Sequence, residues 1–109
     1  MAHDEMLAAR LRDLLAGNGA VQEKKMFGGV GFLVNGNMSV GVHKHWLIAR
    51  LPADQAEQAL QRPGAKVMDL TGRPMKGWLM VAPEGTADDD SLRVWVDESV
   101  AFAATLPPK

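Results

Sequence analysis

The stretch KKMFGGVGFLVNGN, residues 24–37, decides the fold. It holds four glycines and two phenylalanines, and it ends at the turn-forming pair Asn35-Gly36. Glycines placed in this way either cradle a phosphate or shape a β-sheet. A phosphate-binding loop would indicate an enzyme, whereas a glycine-shaped strand would not.

Asn35-Gly36 predicts a two-residue type I′ turn, because both residues tolerate the positive φ angles that this turn requires. The turn fixes which residues of the two strands lie opposite each other. The predicted pairs are Val34–Asn37, Leu33–Met38, Phe32–Ser39, Gly31–Val40, Val30–Gly41 and Gly29–Val42. This register places apolar side chains on both faces of the sheet, so we expect both faces to be covered.

The glycines do not fit a nucleotide-binding loop. The dinucleotide pattern needs a third glycine at a strand-to-helix junction, and a P-loop needs Lys and Ser/Thr after its last glycine. We therefore interpret Gly28 and Gly29 as a turn or bulge, Gly31 as a point of close approach, and Gly36 as a turn residue. A small ligand lying over the gap at Gly31 is the alternative.

Hydrophobic periodicity places three helices around this hairpin. Residues 4–16 have leucines at helical spacing, with Asp4 as the expected N-cap. Pro52 opens a short, lightly buried helix that Pro63-Gly64 ends. The last helix carries an apolar stripe up to Pro107, and the acidic run at residues 88–90 precedes it as caps.

Strand-like segments fill most of the remaining chain. HWLIARL (45–51) and GWLMVAP (77–83) are predicted strands, and residues 66–70 are either a short strand or part of a turn. Because the strands come as hairpins, we expect an α+β fold. The predicted fold is one domain over residues 1–109, with an antiparallel sheet of about five strands and three flanking helices.

Composition excludes several classes of protein. The 109 residues contain no cysteine, and 12 basic residues are balanced by 13 acidic ones. Disulfides and thiolate sites are thus excluded, and this balance does not favour binding to nucleic acid. No segment resembles a signal peptide or a membrane span, so we expect a cytoplasmic protein that does not bind membranes.

No combination of residues predicts catalysis, a metal or a cofactor. His43 and His45 supply only two imidazoles, whereas catalytic zinc usually has three protein ligands. Ser39 is in a strand and lacks the partners of a catalytic triad. The remaining candidate is the loop TGRPMKGW (71–78), where Arg73 and Lys76 flank a proline-ordered turn beside Trp78. Such a loop is either a recognition element or a solvated turn beside a buried tryptophan.

Several ordered segments resemble the N-terminal domain of the TfoX/Sxy family: MFGGVGFLVNGNMSVGV (26–42), HWLIAR (45–50), GWLMVAPEG (77–85) and the last amphipathic helix. The resemblance implies an α+β domain and a link to regulation of DNA uptake in bacterial proteins that also carry a second, C-terminal domain. We expect that second domain to be absent here. The family often has tyrosines in the strand where this chain has Gly77-Trp78-Leu79-Met80, so no role of those hydroxyls is carried over.

The expected function is that of a non-enzymatic regulatory module that binds a protein partner. Self-association into a homodimer is one way to cover the second face of the sheet. Two alternatives remain open from the sequence, namely a small-ligand-binding domain or enzyme, and direct binding to DNA.

Overall fold

A computed structural model describes residues 4–26, 29–69 and 76–108. Its helices are α1 (Glu5–Leu15), α2 (Ala53–Ala59) and α3 (Asp89–Ala104), and its strands are β1 (Val21–Met26), β2 (Gly29–Val34), β3 (Asn37–His43), β4 (Trp46–Arg50), β5 (Ala65–Val67) and β6 (Trp78–Val81). The strands form an open antiparallel sheet in the order β1-β2-β3-β4-β6-β5. The α+β prediction is confirmed, with six strands in place of about five. None of the helices described is long and apolar enough to cross a membrane.

Aspartates begin the two longer helices, as predicted. The Asp4 carboxylate accepts hydrogen bonds from the amides of Met6 and Leu7, and the Asp88 carboxylate accepts one from the amide of Ser91. Each satisfies amides that have no partner within the helix. The bond to the Leu7 amide is the main cause that lowers the pKa of Asp4, whereas the Ser91 hydroxyl and amide lower the pKa of Asp88.

The β2–β3 hairpin turns at Asn35-Gly36, whose φ angles of 52° and 85° are the positive values that the sequence predicts. Val34 lies opposite Asn37 and Leu33 opposite Met38, also as predicted. Beyond the Leu33–Met38 pair the predicted register is wrong. A β-bulge places one extra residue in β3 between Met38 and Val40. The observed pairs beyond the bulge are Phe32–Val40, Gly31–Gly41 and Val30–Val42.

The extra residue in the bulge is Ser39. Its side chain is fully buried, and its hydroxyl donates a 2.9 Å hydrogen bond to the carbonyl oxygen of Phe32. The one-residue shift moves Val40 and Val42 to the face that already carries Val30 and Phe32, where all four lie in one hydrophobic core. The bulge therefore separates the two faces, which the predicted register had left mixed.

Helices α1 and α3 pack on this face of the sheet, which we call the helix-covered face. Its core is mainly aliphatic, and it includes the alternate strand residues Leu47, Ala49, Leu79 and Val81. The other face, which we call the second face, carries the residues between them. The two faces are thus built from different residue types on the same strands.

Candidate recognition surface

The second face contains a separate hydrophobic cluster. Ile48, Met68 and Met80 are buried at its centre, and Met38, Trp46 and Trp78 are partly buried around them. We call these six residues the Trp–Met cluster. Ile48 and Met80 lie opposite each other on β4 and β6, which places the cluster across the middle of the sheet.

Each tryptophan of the cluster lies beneath a cation. The Lys66 ammonium is 4.6 Å from the Trp46 ring centroid, and the Arg50 guanidinium is 5.0 Å from that of Trp78. The same guanidinium is 5.7 Å from the ring of Phe102 on α3. Contacts of this kind stabilise by about 0.5–1 kcal/mol when exposed and by more when desolvated. The rings are therefore held in place by charged side chains that also reach solvent.

The charged strand residues of the second face are all basic. By alternation along the strands, Lys24, Arg50 and Lys66 lie on this side, and no Asp or Glu of the described strands does. Lys25 alternates to the opposite face, and Lys44 lies in the turn before β4, at the other end of that strand from Arg50. Basic residues therefore lie on both faces and at both ends of β4, and do not form one basic face that would favour DNA binding.

The predicted loop site is placed in part. Lys76 is exposed and Trp78 is partly buried at the start of β6, while Arg73 lies outside the described residues. Lys76 and Trp78 line one wall of a cleft of about 460 Å³, and α2 forms the opposite wall. The structure thus brings these two residues beside α2, a contact that no sequence pattern predicts.

Gly77 holds the two walls of this cleft together. Its carbonyl accepts a 2.8 Å hydrogen bond from the Leu51 amide, just before α2. Its φ is +83°, and a Cβ atom there would lie 2.8 Å from the Leu51 carbonyl oxygen. Both the backbone conformation and the short approach favour glycine at this position.

The glycines of the β2–β3 hairpin permit close packing of the two strands. A Cβ on Gly29 would overlap the carbonyl oxygen of Val42. Gly31 pairs with Gly41, and the methyl end of Met38 lies against Gly41, 2.7 Å from where a Cβ would be. Gly28 lies outside the described residues. The space above Gly41 is thus occupied by a side chain of the protein.

The two histidines that the sequence brings together make different contacts. His45 is exposed, and its Nδ1 lies 3.4 Å from the Asp4 carboxylate, which lowers the pKa of Asp4 further. His43 is partly buried on the second face, and its Nδ1 has no hydrogen-bond partner in the part of the chain that the structure describes. Across residues 4–26, 29–69 and 76–108, no three His, Cys, Asp or Glu side chains are grouped so as to hold a metal.

Sequence reasoning missed Trp46 and Lys66 as members of the surface. Trp46 is the second residue of the predicted strand HWLIARL, and its alternation with Ile48 and Arg50 was the available signal. Lys66 gave no such signal, because β5 has only three residues, too few to show a clear alternation, and Trp46 lies on β4, which is separated from β5 by β6.

An open antiparallel sheet with helices on one face and an aromatic, basic second face defines a class of small α+β module. The sequence model of the TfoX N-terminal domain family matches residues 13–103, and the chain belongs to this family. No curated protein matches the chain.

Proposed function

We propose that the chain is a non-enzymatic regulatory module, resembling the competence regulators of its family, that acts by binding a protein partner on the second face of the sheet. The observation that carries this proposal is the pair of partly buried tryptophans, each beneath a cation. Tryptophan and arginine are the residues most enriched at the energetic centres of protein interfaces. Here both tryptophans lie on a face that α1 and α3 leave open, and the Arg50 guanidinium lies between Trp78 and the Phe102 ring of α3.

The chemistry of the surface also describes the partner. The charged strand positions of the second face are basic, so a partner with acidic and apolar groups would complement it. A second copy of the chain is the other occupant to be tested. Binding to DNA is less favoured, because Lys24 and Lys25 alternate to opposite faces of β1.

Known catalytic arrangements gain no support from the described residues. The Ser39 hydroxyl is buried and bonded to a backbone carbonyl, so it is not available as a nucleophile. The His45 ring lies beside the carboxylate of Asp4, which caps α1. These observations support recognition over catalysis.

The test is a pull-down from a native lysate with two matched variants. Lys66→Glu reverses the charge above Trp46, whereas Lys25→Glu reverses an exposed charge on the opposite face. We expect one defined protein to be captured by the parent and by Lys25→Glu, and to be lost with Lys66→Glu.

Three results would contradict the proposal. The first is equal capture by both variants, and the second is loss with both. The third is turnover of a small molecule by the purified protein that a single folded variant abolishes. Sedimentation of the parent over a range of concentrations distinguishes a second copy of the chain from a different protein.

A further inference from the structure

We propose that the cleft between α2 and the start of β6 binds a small organic cation with an apolar body. This inference does not rest on the proposed function, because the cleft lies at the end of the sheet and its walls include α2. Its volume of about 460 Å³ falls within the range of roughly 300–1,000 Å³ that is typical of small-molecule sites.

The floor of the cleft is apolar. Ala56 and Leu79 are buried there, and Leu60 and Val67 are partly buried around them. The partly buried ring of Trp78 adds an aromatic surface. An aliphatic or aromatic body would remove this surface from water, which is favourable by about 25 cal/mol per Å² of apolar area.

The charged residues of the walls determine which sign of charge on a ligand is favoured. Asp54 and Glu57 are three residues apart on α2, so both carboxylates lie on the side of the helix that faces the cleft. Among the described residues, neither lies within ion-pair distance of a cation. Of the lining residues that the structure describes, Lys76 is the single basic one. The two carboxylates outnumber it, so the cleft favours a positive group beside α2.

The cleft is formed by the fold itself. The hydrogen bond from the Leu51 amide to the Gly77 carbonyl fixes the start of α2 against the start of β6. A ligand would therefore enter walls that are already in position, and little conformational entropy would be lost in ordering them.

The test compares three probes that share one body and differ in charge: phenylbutylammonium, phenylbutanol and phenylbutyrate. Each is titrated into isotope-labelled protein while backbone amide shifts are followed by NMR. We expect phenylbutylammonium to bind most tightly and phenylbutyrate least. The shifts should centre on Asp54, Glu57, Gly77 and Trp78.

Variants then assign the selectivity. The double change Asp54→Asn and Glu57→Gln should weaken phenylbutylammonium roughly fivefold and leave phenylbutanol unchanged, as expected for two exposed ion pairs. The matched control, Asp13→Asn with Asp97→Asn, changes two exposed carboxylates away from the cleft and should leave all three affinities as in the parent. Lys76→Gln should leave phenylbutylammonium binding equal or slightly tighter.

Each contrary outcome would overturn the inference. These outcomes are tighter binding of phenylbutyrate, an unchanged affinity in the Asp54/Glu57 variant, or shifts that lie away from the cleft. None of them bears on capture of a protein by the second face, so the two proposals fail separately.

Discussion

The two faces of the sheet share one backbone but differ in chemistry. The helix-covered face is mainly aliphatic, and its strand residues are buried beneath α1 and α3. The second face carries tryptophan, methionine and glycine with cations above the rings. The contrast shows that the larger core lies on one face, while the other carries the surface that we propose for binding.

The largest expected effect compares neighbours on β6 that point to opposite faces. Leu79→Ala opens a cavity in the larger core and should lower the free energy of unfolding by about 2–5 kcal/mol. Met80→Ala should cost about 1 kcal/mol less, because the smaller Trp–Met cluster with its flexible methionines relaxes more readily. Urea unfolding measures both. A greater loss from Met80→Ala would reverse the roles assigned to the two faces.

The next largest effect on stability is expected where the backbones of β2 and β3 are in close contact. Gly29→Ala places a methyl group against the Val42 carbonyl and should destabilise by about 1–3 kcal/mol through the backbone shift that it forces. Gly19→Ala is the control, since a Cβ there meets nothing within 4 Å, and it should change stability by no more than about 0.5 kcal/mol. Equal melting of the two variants would refute the close approach at Gly29.

The bulge that separates the faces is tested by two buried serines. Ser39→Ala removes the donor to the Phe32 carbonyl and should cost about 0.5–1.5 kcal/mol. Ser99→Ala is matched in burial, but the Ser99 hydroxyl has no hydrogen-bond partner among the described residues, so its loss should be neutral or stabilising. Denaturant midpoints compare the variants. If Ser99→Ala cost more than Ser39→Ala, the bond would not be what stabilises the bulge.

The smallest effect on stability is expected at the loop before β6. Replacing Arg73 and Lys76 by Ala should change the free energy of unfolding by less than about 0.5 kcal/mol while abolishing capture of the protein partner. Replacing Lys25 and Arg93, which are exposed elsewhere, should leave both properties unchanged. A double loop variant that still captured the partner would remove this loop from the recognition surface.

Elements with a strong local signal were predicted well from the sequence. The turn at Asn35-Gly36 requires positive φ, and Asp4 and Asp88 supply the short carboxylates that free helix amides need. The bulge was not predicted, because a serine within a strand carries no local mark of an extra residue. The packing of Val40 and Val42 beneath α3 favours the shifted register, together with the buried hydrogen bond of Ser39.

The candidate surface was predicted less completely for a related reason. Lys76 and Trp78 are close in sequence, so one loop revealed both. The cations above Trp46 and Trp78 come from other strands, and the α2 wall of the cleft comes from a different part of the chain. Contacts of this kind depend on the strand order, in which β6 lies between β4 and β5, and no spacing in the sequence specifies that order.

The open sheet also has a consequence for the behaviour of the protein at high concentration. Its two edge strands are β1 and β5, and an exposed edge is a template on which another chain can add a strand and start to aggregate. β1 reads VQEKKM, with four polar or charged residues in succession, and β5 has only three residues with a lysine at its centre. Short or charged edges of this kind discourage such strand addition. The protein thus carries its Trp–Met cluster on a face of the sheet while both edges resist growth into larger sheets.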